Sequence, residues 1–435
     1  QIGGSGQGYS RAKNVAVFGS AELGYKGMLY LSVTGRNDWS SQLVNSAEPS
    51  FFYPSVGLSG VISQMVKLPQ FINYLKVRGS YTEVGSPISK TGITPGTITH
   101  NLTSSGLTTN KVYPYPEFKA ERTASWEAGL NTKLFDNTLS VDLTLYKSNT
   151  FNQFFEQELS SSSIYSSFYL QAGNVENRGV ELSVNYNKEF FNKELDWNST
   201  LTYSRNVNEI KELVRGYRNP FTGQLFDITE VRKGSTVLRE GGSMSDITVR
   251  GVLSRNKNGE LIEEAAQYQY DQTQEIKLGR STPDFQMGWR NTLSFRNIDF
   301  SFLFNGSFGG IVLSGTQPYL DAYGVSKASA EARDAGGVMV NGKLYDAQKY
   351  YNTIKKLPGY YSYDATNVRL QEVSLSYSLD GKHFCDKVKR VTLGVIGTNL
   401  WMIYNKAPFD PQLTFGVGTY AATEFFMTPS AATYG

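Results

Sequence analysis

The stretch TLSVDLTLYK, residues 138–147, decides how the chain folds. Apolar and polar residues alternate along it with a period of two, Leu139, Val141, Leu143 and Leu145 against Ser140, Asp142, Thr144 and Tyr146. Successive side chains of a β-strand point to opposite faces of its sheet. The stretch therefore predicts a strand with one apolar and one polar face.

The same alternation recurs along the whole chain and predicts an all-β fold. About twelve strands of roughly 10 to 14 residues are expected, longer than the usual five or six residues of a globular strand and sufficient to cross a membrane at a tilt. The segments are 15–25, 29–35, 53–66, 75–81, 126–134, 138–147, 180–186, 195–204, 287–295, 298–304, 373–379 and 391–401.

The connections between these segments alternate between short and long. Short turns are predicted at 25–27, 67–71, 135–137, 187–194, 296–297 and 380–387, and long connections at 36–53, 84–121, 150–177, 208–284, 309–366 and 404–430. Outer-membrane barrels have this layout, with short periplasmic turns and long extracellular loops. We therefore predict a transmembrane antiparallel β-barrel. An ordinary soluble antiparallel protein is the alternative, and the strand length and the loop rule disfavour it.

Composition narrows the function classes. The chain has 435 residues, a formal net charge of +3, 19% charged residues, two histidines and one cysteine. This balance does not favour nucleic-acid binding, and Cys385 alone cannot form a disulfide framework or a zinc cluster. There is no run of 18 apolar residues, which argues against a helical membrane span.

Several stretches resemble one family of membrane proteins, the SusC-type TonB-dependent outer-membrane transporters. They occur in the family's order over nearly the whole chain: YLSVTGRNDWSSQL (30–43), SFFYPSVGLSGVIS (50–63), LKVRGSYTEVGS (75–86), SWEAGLNTKLFDNTLSVDLTLYKSNT (125–150), NVENRGVELSVNYN (174–187), TPDFQMGWRNTLSFRNIDFSFLFNGSFGG (282–310) and NVRLQEVSLSYSL (367–379).

The resemblance implies a 22-stranded barrel that is closed by an N-terminal plug. It also implies uptake of oligosaccharides, glycans or peptides, a SusD-like surface lipoprotein as a lid, and energy delivered by TonB. By this plan residues 1–435 are the C-terminal portion of the barrel, without the plug, the first strands or the last strand. The expected surroundings are lipid and the bacterial outer membrane, with no nucleic acid.

Catalytic and metal-binding constellations are not expected. His100 lies in a predicted long loop, whereas His383 and Cys385 lie in a predicted short turn at the opposite end of the barrel. Residues 255–260 replace an acidic run that resembles a calcium loop in the family. They read Arg-Asn-Lys-Asn-Gly-Glu, which supplies too few carboxylates for calcium, so a plain turn without a cofactor is predicted.

The ligand candidates are aromatic and polar residues of the long loops. Sugar rings stack on flat aromatic faces and hydrogen-bond to amide, carboxylate and guanidinium groups, and a peptide would use the same rings. The predicted ligand-binding residues are Arg36, Asp38, Trp39, Tyr113, Tyr115, Phe154, Phe155, Tyr165, Tyr319, Tyr323 and Tyr361.

Three functional hypotheses follow from the sequence. The leading one is a TonB-dependent nutrient importer that is not an enzyme. A passive porin or an export barrel would share its strands and loops. A surface β-rich binding protein, such as an adhesin, would share the alternation but not the membrane.

Overall fold

The computed structural model describes residues 11–43, 46, 48–87, 99–101, 106–108, 112–113, 119–158, 165–218, 223–233, 236–380, 388–414 and 422–435. Twelve long strands dominate it. They are β1 (Asn14–Tyr25), β2 (Leu29–Ser40), β3 (Ser50–Val61), β4 (Ile72–Ser86), β5 (Glu121–Leu134), β6 (Leu139–Glu158), β7 (Ser167–Phe190), β8 (Leu195–Glu212), β9 (Phe285–Phe295), β10 (Ile298–Phe308), β11 (Asn367–Asp380) and β12 (Arg390–Asn405).

The long strands form one antiparallel sheet in chain order, from β1 at one edge to β12 at the other. Two short segments complete this fourteen-stranded sheet. Val112–Tyr113 pairs with β7 and Thr433–Tyr434 pairs with β12. Each of the twelve segments predicted from the alternation overlaps one of the long strands, so the all-β prediction is confirmed. The described sheet does not close on itself.

The connections alternate as predicted. Short turns join β1 to β2, β5 to β6, β7 to β8 and β9 to β10 at one end of the sheet, which we call the turn end. The long connections lie at the opposite end, the loop end. Turn residues such as Lys26 (φ 50°), Asp136 (φ 56°) and Asn192 (φ 53°) take left-handed backbone angles, which match the twist of tight hairpins.

Several predicted boundaries were wrong, among them those of the connections 36–53 and 84–121, whose first residues belong to β2 and β4. β6, β7 and β8 have 20, 24 and 18 residues, so much of the predicted connection 150–177 is strand, because hairpin pairing continues beyond the apolar stretch. The predicted strand 53–66 ends at Val61, where a short helix, Ile62–Met65, begins. β11 extends to Asp380, and most of the turn predicted at 380–387 lies outside the described residues.

The register gives the sheet two chemically distinct faces. One row across β6 to β10 reads Val141, Val184, Leu201, Trp289 and Phe304, and the adjacent row reads Asp142, Ser183, Thr202, Gly288 and Asn305. We call these the apolar face and the polar face. Large side chains of the apolar face stay exposed, among them Leu145 at 50% and Trp289 at 43%. A soluble protein would bury such a surface, whereas lipid covers it in a membrane barrel.

Two long connections pack together at the loop end into a unit with its own core, which we call the loop unit (residues 246–280 and 317–363). A hairpin of Asp246–Leu253 and Tyr270–Arg280 packs with three helices, Gln317–Ala322, Lys327–Asp334 and Ala347–Ile354. The buried core side chains are Leu253, Leu261, Tyr268, Ala332, Tyr345, Tyr351, Ile354, Leu357 and Tyr361.

The remaining elements are short. The 3₁₀ helices are Ser41–Leu43 and Pro358–Tyr361, and the short strands are Thr99–Asn101, Gly106–Thr108, Val214–Arg218, Leu225–Ile228, Glu230–Lys233, Thr236–Arg239, Ile311–Ser314, Val338–Val340, Lys343–Tyr345, Ser362–Asp364 and Thr423–Glu424. In the described part of the chain, no helix combines the length and apolarity needed to cross a bilayer.

Candidate functional site

A groove of about 490 Å³ lies on the polar face. Strands β6 to β10 form its wall, and their register brings polar or small side chains into two adjacent rows. Gly288 keeps the wall open beside Thr202, because a Cβ there would lie 2.8 Å from the Thr202 hydroxyl. The lining residues are Asp142, Thr144, Glu181, Leu182, Ser183, Thr202, Tyr203, Ser204, Gln286, Met287, Gly288, Asn305, Gly306, Ser307, Asn367 and Gln412.

Charges on the polar face are paired across strands. Arg78 of β4 donates to Asp142 of β6 at 3.1 Å and to the Thr144 hydroxyl at 2.5 Å. Asn131 Nδ2 donates to the same carboxylate at 2.8 Å. These pairs hold carboxylate and hydroxyl oxygens at fixed positions along the groove, where a polar ligand would find hydrogen-bonding partners.

The segment 406–414, which follows β12, packs against the loop end of the polar face. Arg369 binds Asp410 through two hydrogen bonds of 2.7 and 3.2 Å, and both side chains are buried, at 4% and 7% exposure. Arg369 lies opposite Asn305 in the register, and Gln412 lines the groove. The sequence prediction missed this contact, since the two partners are far apart in the chain and no local pattern links them.

Two predicted ligand residues of β2 come together, and a third does not. Arg36 donates from Nε to Asp38 at 2.8 Å, and the Tyr53 hydroxyl donates to the other Asp38 oxygen at 2.8 Å. Trp39 pairs in register with Val15, on the opposite side of the strand, and is 44% exposed. Arg36 and Asp38 therefore point away from Trp39, which has the position of an interfacial aromatic residue.

A second aromatic group lies near the loop ends of β3, β6 and β7. The rings of Phe154 and Tyr169 are 4.6 Å apart, and they pack with Phe51, Leu43 and Ala120. Tyr165 is half-buried near the start of β7. The side chains of Tyr113 and Phe155, and all of Tyr115, lie outside the described residues.

Tyr319 and Tyr323 form an exposed aromatic patch at the loop end. The Lys355 ammonium lies 5.4 Å from the Tyr319 ring and 5.5 Å from the Tyr323 ring. Phe425 and Phe426 approach the Tyr319 ring at 6.0 and 6.1 Å. All four rings remain accessible, with Tyr323 at 74% exposure and Phe426 at 60%. The sequence prediction missed the two phenylalanines because they follow β12, far from the tyrosines in the chain.

Tyr361 is only 3% exposed and belongs to the core of the loop unit. Burial, together with the nearby Asp321 carboxylate, raises the pKa of the Tyr361 hydroxyl, so this group stays protonated. In the described arrangement its ring stabilises the loop unit and offers no surface to a ligand.

Polar groups of the turn at residues 255–260 form hydrogen bonds within the protein. Asn256 Oδ1 accepts from the backbone amides of Asn258 and Glu260 at 2.9 and 3.0 Å, and Lys343 Nζ donates to Glu260 at 2.8 Å. A lysine ammonium therefore lies where a metal ion would need the carboxylate. Across the described residues, His, Cys, Asp and Glu form no group of three that could hold a metal ion.

Comparison with known proteins identifies the family. The chain matches the TonB dependent receptor-like, beta-barrel family over residues 2–400. It is 26% identical over 433 residues to TonB-dependent receptor P3 of Formosa agariphila, which covers 92% of this chain and 42% of that protein. Its identity to TonB-dependent receptor P26 of the same organism is 25% over 449 residues, covering 93% and 43%.

Solved structures share the fold. The RagAB peptide importer in the open-open state aligns with a TM-score of 0.74 at 18% identity, covering 100% of this chain and 48% of that chain. Its closed-closed state aligns with a TM-score of 0.75 at 17% identity, covering 97% and 47%. The chain spans less than half the length of these relatives. It belongs to the TonB-dependent receptor β-barrels of the bacterial outer membrane.

Proposed function

We propose that the chain is the C-terminal portion of the barrel of a nutrient importer whose cargo is an oligosaccharide or a peptide. The observation that carries this proposal is the groove on the polar face, with its carboxylate, amide and hydroxyl groups. Such a wall suits a polar oligomer that exchanges hydrogen bonds as it moves. The RagAB neighbours, which are named a peptide importer, support a peptide, and the exposed tyrosines support either cargo.

We further propose that a plug and a TonB-binding segment lie upstream of this chain, and that a SusD-like surface lipoprotein covers the loop end. Passage through the barrel then requires energy from the proton gradient. The chain supplies binding surfaces and a path, and no bond chemistry.

Uptake measurements test this function. Cells that carry the intact receptor gene should import a labelled oligosaccharide or peptide, and import should stop when the proton gradient is collapsed or when TonB is deleted. Uptake that persists under both treatments would contradict the proposal and favour a passive porin. Sequencing upstream of this chain provides a second test, since the absence of a plug would exclude an energised importer.

A further inference from the structure

We propose that the apolar face carries a binding site for a phosphate-bearing lipid headgroup of the outer leaflet, at the loop ends of β6, β7 and β8. The apolar stripes of these three strands all end in a cation. On β6 Lys147 follows Leu145 along this face, on β7 Arg178 precedes Val180, and on β8 Arg205 follows Tyr203.

The three cations are close neighbours on one surface. Lys147 and Arg178 are paired directly in register. Arg205 is paired with Val180, which lies two residues from Arg178 towards the turn end. A direct cross-strand pair of like charges is unfavourable, and residues on the diagonal are within reach of long side chains. The placement concentrates positive charge instead of dispersing it.

A buried carboxylate holds part of this cluster in position. Glu176 is 7% exposed and accepts from Lys147 at 2.8 Å, with Lys211 at 3.7 Å and Arg178 at 3.9 Å. Glu209 pairs with Lys211 at 2.8 Å. Lys147, Arg178 and Lys211 share these two carboxylates, Arg178 lying 3.9 Å from Glu209 as well. Arg205 pairs with neither, so the four cations exceed the two carboxylates by two positive charges.

The side chains of the three cations are exposed. Lys147 is 56% exposed and Arg178 is 58% exposed, and Arg205 is exposed without a carboxylate partner among the described residues. β6 to β8 lie in the interior of the sheet, and each is paired with a neighbouring strand on both sides. In the intact barrel this surface is in contact with lipid.

The cluster lies at the loop-end boundary of the apolar stripe. The stripe of β6 runs from Leu139 to Leu145, about 20 Å along the strand at 3.3 Å per residue and about 15 Å along the axis of a barrel whose strands tilt by about 40°, and Lys147 is the next residue on this face. Trp126 of β5, 64% exposed, is paired in register with Lys147 and marks the interface. Cations at the level of this tryptophan, at the extracellular end, meet the phosphates of the outer leaflet.

A titration with lipid A tests the site. The receptor that carries this chain is purified in a nonionic detergent and titrated with bisphosphorylated lipid A in mixed micelles, with dephosphorylated lipid A as the comparison. The wild type should bind the phosphorylated form preferentially. The triple variant Lys147→Gln, Arg178→Gln, Arg205→Gln should bind it roughly 100-fold more weakly, from the loss of three interfacial cations.

A matched variant at the turn end provides the control. Lys133→Gln, Lys188→Gln, Lys193→Gln removes the same charge from exposed positions and should leave the affinity within twofold of wild type. Equal binding by the wild type and the loop-end triple variant would overturn the proposal. So would displacement of the lipid by 10 mM inorganic phosphate, since the site would then be one for free phosphate.

A charge-conserving variant controls for loss of binding through misfolding. Lys147→Arg, Arg178→Lys, Arg205→Lys keeps the three positive charges and should retain most of the affinity, and heat-modifiable gel migration should be normal in every variant. If the charge-conserving variant migrates normally but loses binding as completely as the glutamine variant, the headgroup site is wrong.

Discussion

Arg78 of β4 reaches Asp142 of β6 across the intervening strand β5, and it does so above Gly129. The guanidinium lies 3.1 Å from the Asp142 carboxylate. A Cβ on Gly129 would lie 2.5 Å from the Arg78 guanidinium carbon. Tyr146 repeats this geometry, reaching Asn206 over Gly179. Glycine on the middle strand therefore permits contacts between strands that are not neighbours. These contacts link the strands on the polar face.

Gly129→Ala should displace Arg78 from Asp142 and cost about 1 kcal/mol, because the half-exposed pair is lost and the added methyl group must be accommodated. Denaturant unfolding of the receptor in detergent measures this loss. Gly79→Ala is the control, since the nearest atom to its Cβ is 3.8 Å away. Combining Gly129→Ala with Arg78→Gln should add little to either change, and full additivity would show that the two residues are not coupled.

Asp410→Asn should release the segment 406–414 from the polar face. Arg369 would keep its charge in a buried site without a carboxylate, and breaking a buried pair in this way costs about 3–5 kcal/mol. Hydrogen exchange of residues 406–414 should become much faster. Lys406→Gln removes only a half-exposed pair with Asp364 and should change exchange little. Unchanged protection in Asp410→Asn would mean that other contacts hold the segment.

Glu275 joins three arginines in the connection between β8 and β9. Hydrogen bonds from Arg232, opposed by burial and supported by Arg239 and Arg250, lower the pKa of the Glu275 carboxyl from 4.5 to about 2. A lowered carboxyl pKa stabilises the fold above the unfolded value, and this contribution is lost as the pH falls from about 4.5 to 2. The hairpins that carry these arginines should loosen over that range.

Pepsin digestion at graded pH tests this dependence. At pH 4.5 the wild type should resist cleavage between residues 230 and 280, and Glu275→Gln should be cut there, because the three arginines lose their common anion. The two proteins should converge near pH 2. Glu264→Gln serves as the control and should behave as wild type. The Glu264 carboxylate is exposed and accepts a hydrogen bond from Gln267 Nε2 at 3.0 Å. Identical digestion of all three proteins at pH 4.5 would contradict the prediction.

Leu357→Ala should unfold the loop unit without unfolding the barrel. Leu357 is fully buried among the core side chains of the loop unit, and truncation of a buried leucine costs about 2–5 kcal/mol. Limited proteolysis should then cut within residues 317–363, while heat-modifiable migration stays normal. Leu344→Ala, at a position 46% exposed, should leave the digestion pattern unchanged. Loss of heat-modifiable migration in Leu357→Ala would show that the two parts fold together.

The strands could be predicted from sequence because their cause is local. Leu139 to Leu145 alternate with polar residues, and the resulting period of two is visible in one segment without knowledge of its neighbours. The ends of β6 to β8 could not be predicted in this way. These strand ends lie beyond the lipid. Pairing continues there through polar residues such as Asn149 and Asn177, so no apolar alternation marks the strand.

The arrangement of the loops was beyond prediction because its causes are not local. Tyr361 has the same aromatic character as Tyr323, but packing against Leu253 and Ile354 buries the first ring while the second stays exposed. The buried pair of Arg369 and Asp410 likewise depends on how the chain returns after β12. Residue type indicates a possible ligand contact, and only the tertiary contacts decide whether the side chain is accessible.

The exposed rings of Tyr319 and Tyr323 should contribute to cargo binding. Phe426 beside them has a left-handed backbone, φ 45°, and a side chain 60% exposed, so core packing does not offset its strain. Strain retained without burial favours a role in binding. Tyr319→Ala with Tyr323→Ala should weaken binding about tenfold, at roughly 0.5–1.5 kcal/mol per ring.

The cargo on which the wild-type receptor supports growth is the probe, and its affinity is measured by titration of purified receptor. Tyr25→Ala, at a position on the turn end that is 61% exposed, is the control and should bind as wild type. Unchanged affinity in the double tyrosine variant would remove the patch from the binding site and leave the groove on the polar face as the remaining candidate. A loss confined to the double variant would place the first contact with cargo at the loop end, before the cargo reaches Asp142 and its neighbours.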